Sequence, residues 1–177
     1  AVIGPIFTTI EDGIINGVQA LIQLPFGIGS FIMGGLYAVT VVAGIHHMYT
    51  LIDLGQLARY GYTYWLPLAS AANVAQGGAA LAVALKSKDT KVKSMALPSA
   101  LSACMGITEP AIFGVNLRYF KPFIGGLLGG ACGAWYASIV GLGATGTGVT
   151  GIFGILLHLH MPLQYIIMMA ISFGVSL

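Results

Sequence analysis

A chain of 177 residues that is 57% hydrophobic, 7% charged and has a mean hydropathy of +0.91 is no soluble domain, since those carry roughly 25% charged residues. The net charge of +2 is small, and no basic surface interleaved with aromatics points to nucleic acid. Residues 13–52, 60–85 and 122–177 contain no Lys, Arg, Asp or Glu, which at about 20 apolar residues per span leaves room for about four to six passes or hairpins.

These apolar runs do not alternate as the strands of a membrane β-barrel do, so the expected fold is an all-α polytopic membrane protein. Residues 1–12 end at Glu11-Asp12, a polar border. Residues 14–33 read as one pass, kinked or broken at Pro25 and Gly27-Ile28-Gly29. Residues 34–52 read as a second apolar stretch containing Gly44-Ile45-His46-His47. Residues 53–64, with Asp53, Gln56, Arg59 and Tyr60, suit an interface or a cavity wall better than lipid.

Residues 65–85 are rich in Ala and Gly and include Asn73 and Gln76, the composition of a helix that faces other helices. The following loop puts Lys86, Lys88, Lys91 and Lys93 close together, and the positive-inside rule makes it cytoplasmic. Arg118 and Lys121 form a second basic cluster. If both clusters are cytoplasmic, the segment between them enters and returns as a re-entrant hairpin; if it crosses once, Arg118 lies outside. The hairpin is favoured, because Pro98, Gly106 and Pro110 interrupt this segment. Residues 122–140 and 151–177 read as helices, and Gly125, Gly126, Gly129, Gly130 and Gly133 mark a helix-packing face. Between them, residues 141–148 are uncharged and rich in Gly and Thr, a candidate for unwound backbone near a site.

Glu109 is the most telling residue. It is the sole acidic side chain between Thr90 and Leu177, and a carboxylate at membrane depth costs about 2.5–3.5 kcal/mol unless it faces a partner or a polar cavity. Pro110 disfavours helix at Glu109, so Gly106–Phe113 is expected to be broken backbone around a ligand. His46 and His47 lie in an uncharged run and are functional candidates; on an α-helix they would diverge by about 100°. His158 and His160 read as interfacial. Cys104 and Cys132, isolated among small residues, read as inert buried thiols. No metal cluster, nucleophilic-serine motif or phosphate loop is present, so neither a metal nor a cofactor is expected. A carboxylate, imidazoles, Thr and Asn groups and aromatic rings are the set that binds neutral sugars.

Gly44-Ile45-His46-His47-Met48-Tyr49 and Gly106-Ile107-Thr108-Glu109-Pro110-Ala111-Ile112-Phe113-Gly114-Val115-Asn116 resemble the enzyme IIC membrane component of the bacterial sugar phosphotransferase system. The likeness is to the glucose superfamily, in its sucrose/trehalose/β-glucoside branch. Residues 65–77 and 143–151 look most like sucrose-specific members. This resemblance implies a sugar transport domain with transmembrane helices and re-entrant hairpins, in which Glu109 is the catalytic and sugar-binding carboxylate. His46, His47 and Thr108 complete the implied sugar contacts.

It further implies a phosphocysteine-bearing IIB domain and a IIA protein as partners, and a multi-pass location in the bacterial inner membrane. Residues 1–177 would be the C-terminal transport half. A homodimer would form through a scaffold half that, like the IIB domain, lies outside this chain. Glucose- and maltose-type members carry a basic residue where this chain has Tyr37-Ala38-Val39-Thr40, which weakens inference from them. A proton-coupled sugar transporter, a trehalose- or β-glucoside-specific permease and a purely structural subunit remain alternatives. The apolar start at Ala1 shows no signal-peptide pattern, and the chain is expected to be a piece of a longer protein.

Overall fold

The computed structural model describes residues 13, 16, 17, 20–22 and 24–177, and it is all-helical apart from one isolated β-bridge among them. The expected polar border at Glu11-Asp12 and residues 14, 15, 18, 19 and 23 of the first expected pass lie outside the described residues. A 3-10 turn at Pro25–Gly27 leads into α1 (Ile28–Val42). A second 3-10 turn, His46–Met48, joins α1 to α2 (Tyr49–Tyr60), which is followed by α3 (Trp65–Lys86) and α4 (Thr90–Cys104). Helix α5 has three continuous pieces: Glu109–Ala111, a π-helical stretch Ile112–Asn116, and Leu117–Tyr119. Helix α6 (Lys121–Ile139) is joined to α7 (Pro162–Ser176) by a long loop holding the 3-10 segment Gly151–Leu157.

Helix α3 is the axis of the bundle. Nearly all of it from Trp65 to Ala80 is buried, and α1, α4, α6 and α7 pack around it. Its residues are small, so neighbouring backbones come close. Gly77 lies against Cys104 and Ala100, Gly78 against Ser176 and Phe173, and Gly130 of α6 against Ala72. Helices α1 and α6 cross where Gly34 and Gly130 face each other; a Cβ on Gly34 would sit 2.7 Å from the Gly130 carbonyl oxygen. Without a hydrophobic driving force between helices in lipid, such close van der Waals packing holds them together. The glycines of α6 are therefore packing residues, as their spacing predicts.

Helices α4 and α5 lie side by side, joined by the turn Met105–Thr108. Ala96, Ala100 and Ala103 of α4 meet Ala111 and Val115 of α5, with Ala80 and Ala84 of α3 beneath. Lys86 and Val92 line the same concavity as Tyr119 and Lys121, so the two basic clusters share one end of the molecule.

Several boundaries differ from those expected. The boundary expected between residues 33 and 34 falls instead inside α1 (Ile28–Val42), where Gly34 and Gly35 pack against α6. Residues 151–177 are not one helix: the 3-10 segment stops at Leu157 and Pro162 begins α7. His158, expected at an interface, is fully buried; its Nδ1 is 2.7 Å from the Gly154 carbonyl and its ring stacks on Tyr165. Cys104 and Cys132 are free and only partly buried. Two described helical stretches, Pro25–Val42 and Trp65–Lys86, are long and apolar enough to cross a membrane.

Candidate functional site

The candidate residues are delivered by helix ends that stop in the same way. Helix α1 ends with Gly44 at φ 75°; the Gly44 amide donates to Val41 O and the Ile45 amide to Thr40 O. Helix α4 ends identically, with Gly106 at φ 102°, its amide donating to Ala103 O and that of Ile107 to Ser102 O. This left-handed glycine followed by an apolar residue is the Schellman stop, which satisfies carbonyls that a helix end leaves unpaired. One stop turns the chain into His46–Met48 and the other into Thr108-Glu109.

The two turns meet. His46 Nε2 lies 3.5 Å from Glu109 Oε1, with side-chain exposures of 16% and 45%. Only His46 makes this contact. The His47 ring sits beside that of His46, with centroids 4.0 Å apart and planes tilted by 37°. The pair occupies a 3-10 turn, and the two rings nonetheless lie side by side. Thr108 is buried at the N-cap position before Glu109, and its carbonyl accepts the Ile112 amide at 2.8 Å.

Pro110 does not break the helix at Glu109. It stands in the first turn, where the missing N–H would be unpaired anyway, and Glu109 is the first helical residue. The partial positive charge of the helix N-terminus favours a carboxylate there. The irregular backbone falls on either side, in Met105–Thr108 and in the π stretch Ile112–Asn116. Within the latter, Asn116 donates to the Gln76 backbone carbonyl at 3.0 Å and to its Oε1 at 2.7 Å, pinning α5 to α3.

An aromatic wall stands beside the His turn. Tyr49 follows it directly and packs on Trp65 with centroids 4.5 Å apart, and Tyr37 lies 5.8 Å from Tyr49. Such a wall suits the apolar face of a sugar ring, while the carboxylate and imidazole suit its hydroxyls. Among the described residues no three His, Cys, Asp or Glu side chains group closely enough to hold a metal ion.

Asn73, Thr150 and Asp53 are not among the sugar contacts expected from the sequence. Asn73 Nδ2 donates to Thr150 Oγ1 at 3.0 Å and reaches the Gly106 carbonyl at 3.4 Å. The Gly/Thr-rich loop thus lies directly against the turn that carries Glu109. Asp53 is 5% exposed and accepts hydrogen bonds from Thr63 and Thr147. The uncharged surroundings of Asn73 and the Thr residues of 145–150 were the available signal.

These features define an all-α protein with membrane-length apolar helices and a carboxylate–imidazole pair set at capped helix ends. The family profile "Phosphotransferase system, EIIC" matches residues 1–130, and the chain belongs to that family. It is 45% identical over 178 residues to the sucrose-specific EIIBC component of the phosphotransferase system of Salmonella typhimurium, covering 99% of this chain and 39% of that protein. The sucrose-specific component of Bacillus subtilis (strain 168) is 45% identical over 150 residues, covering 85% of this chain and 32% of that protein. The trehalose-specific component of the same organism is 39% identical over 155 residues, 87% of this chain and 33% of that protein. The chain therefore spans about two fifths of the length of these relatives at most. No solved structure matches it.

Proposed function

We propose that this chain is the sugar-binding transport half of an EIIC component, moving a disaccharide across the bacterial inner membrane while presenting it for phosphorylation. Sucrose is the favoured cargo, because sucrose-specific relatives reach 45% identity and trehalose-specific relatives 39%. The observation that carries the reading is the His46–Glu109 contact at 3.5 Å, formed by two turns far apart in sequence.

In this reading Glu109 and His46 hold sugar hydroxyls, with Thr108 and His47 bordering the same pocket. The phosphoryl donor is a phosphocysteine on a separate IIB domain, itself charged by a IIA protein. The sugar hydroxyl attacks phosphorus, the P–S bond breaks as the P–O bond forms, and the thiolate leaves. The hydroxyl proton passes to Glu109 acting as general base. Helices α4 and α5 form a re-entrant hairpin; the shared end of the two basic clusters supports this, since positive-inside loops belong on one side. That end faces the cytoplasm and the IIB domain. Dimerisation resides in a scaffold half outside residues 1–177.

Glu109→Gln tests the reading in membrane vesicles carrying the full-length protein and its phosphoryl donors. The variant should stay inserted and lose phosphorylation of sucrose by at least about a hundredfold, the lower range for removing a general base. Sucrose phosphorylation at the unaltered rate contradicts the assignment. Stronger binding of trehalose than of sucrose by the unaltered protein would reassign the cargo.

A further inference from the structure

Asp53 takes no part in the His46–Glu109 contact, yet both of its oxygens are engaged. Oδ1 accepts from the Thr63 hydroxyl at 2.5 Å and Oδ2 from the Thr147 hydroxyl at 3.1 Å. Thr63 is locked to Ala144 by two backbone bonds, of 2.9 and 2.8 Å. Gln56 completes the cluster by accepting the amides of Tyr64 at 2.8 Å and Trp65 at 3.3 Å, its Oε1 standing 3.0 Å from the Thr63 hydroxyl oxygen. The start of the loop 141–150 is therefore held on α2.

The other end of that loop supports Glu109. Thr150 accepts from Asn73, and a Cβ on Gly106 would meet the Thr150 hydroxyl at 2.5 Å. A Cβ on Gly151 would fall 2.2 Å from the Cys104 carbonyl oxygen. The turn Met105–Thr108 thus rests on residues 150 and 151 with no slack. On the opposite side, His46 belongs to the turn that opens α2, about two helical turns before Asp53. The links close a circuit: His46, α2, Asp53, Thr147, Thr150, the Gly106 turn, Glu109 and back to His46.

We propose that the Asp53–Thr147 hydrogen bond is a positioning latch that fixes the spacing of His46 and Glu109, and so sets sugar affinity without touching sugar. The proposal rests on the sugar-site reading above. An ionised Asp53 makes the latch stronger than a neutral pair. At 5% exposure, Asp53 has little water to replace a lost hydroxyl. A latch remote from the reacting atoms should act on binding: loosening it moves the two turns apart in the free protein but leaves the proton acceptor itself unchanged.

The test compares Thr147→Val, Thr147→Ala and Thr147→Ser in vesicles carrying the full-length protein and its phosphoryl donors. Thermal midpoints of the detergent-purified variants accompany the kinetics. Thr147→Val and Thr147→Ala should raise the sucrose KM about tenfold with kcat within about twofold, and Thr147→Ser should restore KM. Unchanged KM in an inserted Val or Ala variant, or no restoration by Ser, overturns the latch. Failure of both Val and Ala variants to insert also overturns it, by making Thr147 a folding element. Glu109→Gln in the same vesicles separates the two ideas. If that variant works normally, the sugar-site reading fails; if it is inactive while Thr147→Val is unaffected, only the latch fails.

Discussion

Glycine does two different jobs in this molecule, and the contrast between α6 and the loop behind it explains much of the architecture. In α6, Gly126, Gly129, Gly130 and Gly133 are buried and helical, and each meets a neighbouring helix. Within the loop, Gly141 and Gly148 adopt φ of 65° and 95° with open space where a Cβ would sit. The first set lets helices touch; the second lets the chain turn. Space decides the cost of substitution in α6, and backbone geometry decides it in the loop.

The largest expected effect is at the helix crossing. Gly34→Val puts a Cβ 2.2 Å from the Ala134 Cβ and 2.7 Å from the Gly130 carbonyl oxygen, so the α1–α6 contact must open and inserted protein should be lost. Gly146→Ala, where the nearest atom is a flexible Leu157 methyl at 3.3 Å, should insert normally. Membrane-inserted protein measured by quantitative immunoblot separates the two; equal amounts of both variants would break the distinction. A smaller effect is expected where the loop touches the site. Asn73→Ala removes the donor to Thr150 and should raise the sucrose KM about fivefold, near the worth of one neutral hydrogen bond. An unchanged KM would leave the loop without influence on the Glu109 turn.

Much of this was legible in the residues because membrane chains mark their exceptions. A lone Glu109 and an imidazole pair in uncharged sequence have few bland uses, and each follows a Gly-Ile dipeptide that turns out to end a helix. The helix content of 65–85 and the packing glycines of α6 were readable from composition. Less readable was whether a given glycine packs or breaks: Gly34-Gly35 packs while Gly44 breaks, and the difference lies in α6, which is distant in sequence. Pro110 was misread for a related reason. A proline disfavours helix before it in the middle of a helix, whereas at the first turn it costs nothing. The burial of His158 depends on the Gly154 carbonyl and the Tyr165 ring, neither of which its interfacial flanks foretold. The Asp53–Thr147 contact joins residues 94 apart, beyond any local pattern.

The central claim is that His46 and Glu109 act together on one sugar. Calorimetric sucrose binding to the full-length protein, to His46→Ala, to Glu109→Gln and to the double variant tests it most directly. Joint action predicts a coupling of about 1 kcal/mol or more between the two substitutions. Strictly additive losses, or sucrose affinity untouched by either change, would contradict it.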